Sequence, residues 1–246
     1  MDDTAKEVIE RESYSLKVDE TLLSSLEPGE AILCLNYDGL YGINNINRFL
    51  QESNPNPAVT WDVQQYKVGD PILFLDSDRF RPVIYNNMKG IIRDVKVIDV
   101  DTPTERIRFD IEIPKLIYER DTFGTGLDLL ENNEEEEKSL IRFYVRKLKS
   151  ADEEGEDFGT IVPFQVAYAV SIHKAQGLEF ESVKIVVTDE VEELVTHNVF
   201  YTAITRAREK LKIYWTPEVE EKVINRIKPR DISKDVEILK NYIDKK

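Results

Sequence analysis

At 246 residues the chain is long enough for one large domain or two small ones, and its 41% hydrophobic content is ordinary for a globular protein, which excludes general disorder. A net charge of −15 excludes retention of nucleic acid by bulk electrostatic attraction, so any nucleic-acid site has to be local. No apolar run approaches the roughly 20 residues that cross a bilayer, and the opening "MDDTAKEVIERES" is acidic and polar rather than a targeting segment, which points to the cytoplasm.

Residues 1–25 read as a lead-in, followed by the turn formers Pro28 and Gly29. "AILCLNY" is a short buried strand whose single Cys34 can form no intrachain disulfide and is expected as a core thiol. A turn at 38–42 leads into "INNINRFLQES", where Ile43, Ile46, Phe49 and Leu50 recur at spacings of three and four while Asn45, Asn47, Arg48 and Gln51 fall off that stripe: an amphipathic helix. The prolines of "NPNPAVTW" stop it. From Tyr66 the chain turns β-rich: "VGDPILFL", "VIYNNMKGIIRDVKVIDV", "RIRFDIEI" and "SLIRFYVRKL" are strands separated by turn-prone residues such as Gly69-Asp70 and Asn86-Asn87, which predicts a small barrel over 66–163. Within it, "ENNEEEE" (131–137) and "DEEGED" (152–157) read as solvated loops, with a patch that repels nucleic acid as the functional alternative.

After Pro163 the pattern returns to mixed α/β. "VKIVVTDE" is a strand, "HNVFYTAITRARE" carries Val199, Ala203, Ile204 and Ala207 at helical spacing, and "LKIYW" is a further strand. This alternation predicts a mostly parallel sheet flanked by helices. The tail 216–246 reads as two short amphipathic helices broken at Pro229, with Pro217 in the first turn. There is no internal repeat.

Two polar constellations carry chemistry. In open parallel sheets ligands bind beyond the carboxyl ends of the strands, so both are expected there. The first is Ser171, His173, Lys174, Gln176, Gly177 and Glu179: hydrogen-bond donors, a cation suited to phosphate, a glycine that admits close backbone approach, and a carboxylate able to accept from sugar hydroxyls. The second is Tyr201, Thr202, Thr205, Arg206 and Arg208; on a helix Thr202 and Arg206 share a face, so a guanidinium projects from a packed element toward charge on a transferring phosphoryl group. The bland alternative pairs these arginines with acids such as Glu209 or Glu192 at the surface.

"YAVSIHKAQGLEF" followed by "VFYTAITRARE", with the strand "VKIVV" between, resembles motifs V and VI of superfamily 1 helicases of the UvrD and RecD type. "AILCLNYDGLYGINNINRFLQESNPNP" resembles the strand and helix that open the second RecA-like motor domain of such enzymes, and "YKVGDPILFLDSDRFRPVIYNNMKGII" is similar to the SH3-like barrel inserted in it. The resemblance implies a discontinuous RecA-like α/β domain at 26–65 and 164–215, interrupted by a barrel at 66–163 that guides single-stranded DNA. It implies that Ser171, His173, Lys174, Gln176 and Thr202 face single-stranded DNA, that Gly177 and Glu179 approach ATP, and that Arg206, assisted by Arg208, is the arginine finger. The chain departs from the family in having no "GxxxxGK[ST]" and no carboxylate pair for magnesium. ATP and Mg2+ would therefore belong to an enzyme completed by an N-terminal RecA-like P-loop domain, in the same polypeptide or a partner subunit, and this chain alone is expected not to hydrolyse ATP. The competing expectation is a non-catalytic nucleic-acid or protein interaction module with a helicase-like fold.

Overall fold

A computed structural model describes residues 22, 29–75, 78–147 and 160–227. The lead-in apart from Leu22, the acidic run at 152–157 and the tail beyond 227 lie outside the described residues. The first sheet is parallel, with strand order β10-β1-β11-β12, where β1 is Glu30–Cys34, β10 Ala169–Ser171, β11 Phe180–Val186 and β12 Ala207–Tyr214. Its inner strands are buried over Ala31–Cys34 in β1 and over Val183–Val186 in β11, as expected where both faces of a parallel sheet are covered. Helices α1 (Ile43–Ser53), α3 (His197–Ile204) and α4 (Pro217–Arg226) accompany it.

The second unit is antiparallel. The hairpin β2 (Ala58–Trp61) and β3 (Gln64–Lys67) is joined by a six-stranded ladder, order β7-β8-β6-β5-β4-β9. Its members are β4 (Pro71–Phe74), β5 (Lys89–Ile98), β6 (Arg106–Ile113), β7 (Asp128–Asn133), β8 (Lys138–Arg146) and β9 (Phe164–Val166), with a one-turn helix α2 (Glu119–Thr122) before β7. Alternation along β8 buries Leu140's neighbours Ser139 and Ile141, then Phe143 and Val145, as period-2 geometry requires. The core is aromatic: Phe109 packs edge-on against Phe164 (4.9 Å between centroids) and Tyr66 (5.1 Å). Trp61 and Phe164, on the far sides of the expected boundaries at 65/66 and 163/164, both belong to this core. Leu73, between Ile72 and Phe74 in β4, points the other way into the core of the parallel sheet.

Helix α1 forms where the stripe predicts it, burying Ile43, Ile46 and Leu50. Its polar face is used as well. Asn47 accepts from the Ala169 N–H (2.7 Å) and donates to the Ala169 carbonyl (3.0 Å), so one side chain satisfies the free edge of β10 as a neighbouring strand would. Lys67 donates to the Gln51 and Asn54 carbonyls (both 2.8 Å), closing the carboxyl end of the helix. At α4 the Thr216 hydroxyl accepts from the Val219 N–H and Pro217 opens the helix, as expected from the sequence.

The acidic run at 131–137 is not all loop: Glu131, Asn132 and Asn133 pair with Leu140, Ser139 and Lys138 as the end of β7. The side chain of Asn132 explains this, since it donates to the Ile117 carbonyl (2.9 Å) and accepts from the Ser139 hydroxyl (2.7 Å), anchoring the strand at a polar position. Only 134–137 turns. Among the described residues no helix is long and apolar enough to cross a membrane.

The two units meet at Asp70, which is fully buried. Its carboxylate accepts from Gln51 Nε2 (2.6 Å) and Asn54 Nδ2 (2.9 Å) at the end of α1, from the Lys67 N–H (2.9 Å), and from the Tyr168 hydroxyl (2.7 Å) at the entry to β10. Burial, then the Asp70 charge, pushes the Tyr168 phenol well above its usual pKa, so Tyr168 remains a donor at any ordinary pH. Asp70→Ala strands these donors and is expected to cost about 3 kcal/mol or more, read from urea denaturation. Cys34 is fully buried and burial pushes its thiol up to about 12; alkylation by iodoacetamide at pH 8 should track unfolding, with denaturant needed before the label appears.

Candidate functional site

β10 ends at Ser171, level with Cys34 of β1, at the carboxyl edge of the parallel sheet. From there the chain crosses to the opposite edge, where β11 begins at Phe180 beside Ala207 of β12. At about 3.3 Å per residue, the seven residues of β11 put these edges about 20 Å apart. The first constellation is therefore strung along a connection that runs from one edge to the other. The second lies at the amino edge, not beyond the carboxyl ends as expected, because Arg206 and Arg208 immediately precede and begin β12.

At the carboxyl edge, Ser171 is buried and its hydroxyl accepts from the Lys174 N–H (3.3 Å), closing the next turn. The Ala175 N–H bonds back to the Ser171 carbonyl (3.0 Å), and the buried Ala175 methyl anchors the connection in the core. His173 and Gln176 are consequently left exposed on the outside of the turn. Lys174 is half-buried: its ammonium donates to Gln165 Oε1 (3.2 Å) and lies 5.6 Å from the centre of the Tyr37 ring. Tyr37 and Gln165 also line a cleft of ≈ 1010 Å³ between α1, the β2–β3 hairpin and β9. Asn44, Asn47, Gln51, Gln64 and Gln65 make this cleft rich in carboxamides, with donors and acceptors in one lining.

Gly177 adopts φ +84°, and a Cβ built there meets nothing within 4 Å. Backbone conformation rather than packing selects glycine, and the main chain there is open to close approach. Beyond it, three cations converge on two residues. Arg206 Nη1 donates to the Leu178 carbonyl (2.9 Å), Lys89 Nζ to the Glu179 carbonyl (2.8 Å), and Arg208 Nε and Nη2 both reach Glu179 Oε2 (2.8 and 2.7 Å). The Phe180 N–H completes the set by donating to the Arg206 carbonyl (2.9 Å).

Helix α3 stops at Ile204, short of the helix expected through Arg206. Thr205 Oγ1 bonds back to the Tyr201 (2.8 Å) and Thr202 (3.1 Å) carbonyls, and Arg206 Nε takes the Thr202 carbonyl as well (3.0 Å). These side chains satisfy the helix's last carbonyls, so the backbone is released into β12. Thr202 and Arg206 thus meet through a carbonyl instead of sharing a helix face, and the Arg206 guanidinium is folded onto its own backbone. Arg208 is ion-paired with Glu179 rather than with Glu209 or Glu192, and Glu192 pairs with Lys222 (3.1 Å). Tyr201 is exposed, its ring stacked 6.4 Å from that of His197.

Among the described residues no three His, Cys, Asp or Glu side chains converge as metal ligands. Sequence reasoning missed Lys89 and the Leu178 carbonyl as parts of the site. Tyr37 was findable, since it follows β1 at the carboxyl edge where ligand loops are expected.

Residues 166–214 match the family model of the UvrD-like helicase C-terminal domain. The chain is 24% identical over 187 residues to the RecD subunit of the RecBCD enzyme of Buchnera aphidicola subsp. Acyrthosiphon pisum, a match covering 74% of this chain and 24% of that protein. It is 26% identical over 214 residues to the ATP-dependent DNA helicase Pif1 of Campylobacter jejuni, covering 81% and 45%. A solved Pif1 helicase from Bacteroides in complex with ADP-AlF3 and ssDNA aligns with a TM-score of 0.45 at 18% identity, covering 93% of this chain and 48% of that one. The chain spans between a quarter and a half of the length of these relatives.

With no side chain to clash at Gly177, substitution there isolates the backbone term. Gly177→Ala should lower stability by about 1 kcal/mol and Gly177→Asn by less, compared through urea midpoints.

Proposed function

We propose that the chain, whose residues 166–214 match the UvrD-like helicase C-terminal domain, is the C-terminal motor half of an ATP-dependent DNA helicase of superfamily 1. In this reading the parallel sheet is the second RecA-like domain and the antiparallel unit is its SH3-like insert. The rest of the enzyme is an N-terminal RecA-like P-loop domain, in the same polypeptide or a partner subunit, which holds ATP and Mg2+. The observation that carries the reading is the meeting of Leu178–Glu179 with Arg206 and Arg208 at one sheet edge, while His173 and Lys174 lie at the other. One connection then faces two ligands.

At the amino edge the bare backbone at Gly177, the Glu179 carboxylate and two guanidiniums fit a nucleotide polyphosphate presented by another domain. ATP, when bound, supplies the phosphoryl group; Arg206 binds its developing charge. To do so the guanidinium exchanges the Leu178 and Thr202 carbonyls and the Thr205 hydroxyl for phosphate oxygens. Charge-assisted bonds to phosphate are stronger than bonds to neutral carbonyls, which favours that exchange once the nucleotide arrives. At the carboxyl edge His173, Gln176 and Lys174 offer donors, and the carboxamide-lined cleft continues their track for single-stranded DNA along the insert. Ser171 shapes the turn that presents them, and Thr202 presents its carbonyl to Arg206.

A second reading has one observation in its favour. Arg206 and Arg208 are both satisfied within the chain, as they would be in a non-catalytic interaction module. In the complete enzyme, Arg206→Ala should lower ATP turnover about 10³-fold or more with nucleotide binding retained; turnover at the wild-type rate would favour the module. His173→Ala and Gln176→Ala should instead weaken single-strand binding in a fluorescence anisotropy titration, by an amount that leaves nucleotide affinity in place.

A further inference from the structure

Lys89 belongs to the antiparallel unit, yet its ammonium contacts the connection in the other one. It is the first residue of β5, opposite Leu73 of β4. Its base is rigid: a Cβ on the next residue, Gly90, would lie 2.7 Å from Ile111 Cγ2, so β5 presses directly onto β6 there. Before it, the Met88 carbonyl accepts from the Phe74 N–H (3.0 Å) and the Met88 side chain is buried. From this fixed point Lys89 Nζ donates to the Glu179 carbonyl (2.8 Å) and lies 4.2 Å from the centre of the Phe180 ring. One ammonium thus holds two successive residues at the start of β11, by a charge-assisted hydrogen bond and a cation–π contact.

We propose that Lys89 is a positioning residue, through which the antiparallel unit sets the geometry of the Gly177–Glu179 segment. This rests on the nucleotide-facing role given to that segment above. The mechanism is mechanical. Gly177 leaves the preceding backbone free to pivot, and the stretch between it and β11 is held by Arg206 on Leu178, Lys89 on Glu179 and Arg208 on the Glu179 carboxylate. Two of these anchors come from the parallel unit itself. Lys89 alone comes from the antiparallel unit, so it is the anchor through which the placement of that unit is passed to the segment. Burial and the nearby Arg208 charge lower the Lys89 pKa, while Glu181 and Glu179 oppose the shift, which marks an ammonium partly withdrawn from water whose remaining contacts are correspondingly strong.

The test has two arms. In this chain, amide hydrogen exchange is followed by mass spectrometry over residues 177–181 and, as reference, over 91–98. Lys89→Met, which keeps the aliphatic stem and loses the donor, should speed exchange in 177–181 about tenfold and leave 91–98 unchanged. Lys89→Arg, which keeps a donor, should stay within about twofold of the wild type in both. Loosening in both variants alike, or in neither, overturns the proposal. In the complete helicase, Lys89→Met should lower the DNA-stimulated kcat for ATP about tenfold with KM for ATP little changed. A loosened segment with undiminished DNA-stimulated turnover also overturns it. Arg206→Ala run alongside separates the two failures: if that variant turns over ATP normally, the nucleotide role of the segment falls, while the exchange result still decides whether Lys89 positions it.

Discussion

Everything functional in this chain depends on two sheets keeping a defined relation, and the buried carboxylate of Asp70 is where that relation is made. A lone ionised side chain in a dry interior would be ruinous, but Asp70 accepts four hydrogen bonds from the end of α1, the β3–β4 turn and Tyr168. Each donor belongs to a segment that crosses between the units or bounds one of them. Hydrophobic contact alone would permit sliding, since apolar surfaces are tolerant of registry. Four directional bonds to one carboxylate are not, and they place β10, which begins immediately after Tyr168, at a defined edge of the parallel sheet. Asn47 then completes that edge.

Placement of β10 dictates the path of the chain after Ser171. The connection from Ser171 to Phe180 has to cross the sheet from its carboxyl to its amino edge, because β10 and β11 are both parallel to β1, the strand between them. Residues that look like one compact cluster in sequence are therefore distributed over two edges about 20 Å apart. This arrangement suits a motor element: contacts made at one edge and contacts made at the other share a single short backbone with a glycine pivot at Gly177. The insert enters the same arrangement at both ends, through the Gln165–Lys174 bond at the carboxyl edge and the Lys89–Glu179 bond at the amino edge.

Much of this was legible in the sequence where periodicity or capping chemistry carried the signal. The stripe of α1, the Thr216-Pro217 start of α4, the β-rich middle and the parallel apolar strands all come from spacing that local physics enforces. The constellations themselves were legible as residue types in order. What sequence could not supply were interactions whose partners are distant in the chain. Asp70 read as half of a turn dipeptide and Asn47 as solvent face. Lys184, inside the strand "VKIVV", is buried and ion-paired to Glu30 of the adjacent strand at 2.9 Å. The end of α3 was misjudged for a local reason: helical spacing of apolar residues continues past Ile204, but Thr205 and Arg206 compete for the same carbonyls and terminate the helix.

The acidity of the chain also acquires a structural meaning. Around the proposed sites the cations do not form a bare basic surface. Arg206, Arg208 and Lys89 are each occupied with a carbonyl or carboxylate, and Lys174 with the Gln165 side-chain amide oxygen. A cation bonded to a neutral oxygen keeps its charge, so of these only Arg208, paired with the Glu179 carboxylate, is neutralised, while the donors of the others are already committed. In the proposed reading, these cations would exchange their internal partners for phosphate oxygens at short range. Carboxamides along the cleft add donors and acceptors without adding charge. Internal satisfaction of the cations sits beside a net charge of −15 in this chain, and any anion that binds them has to compete with directional bonds already made.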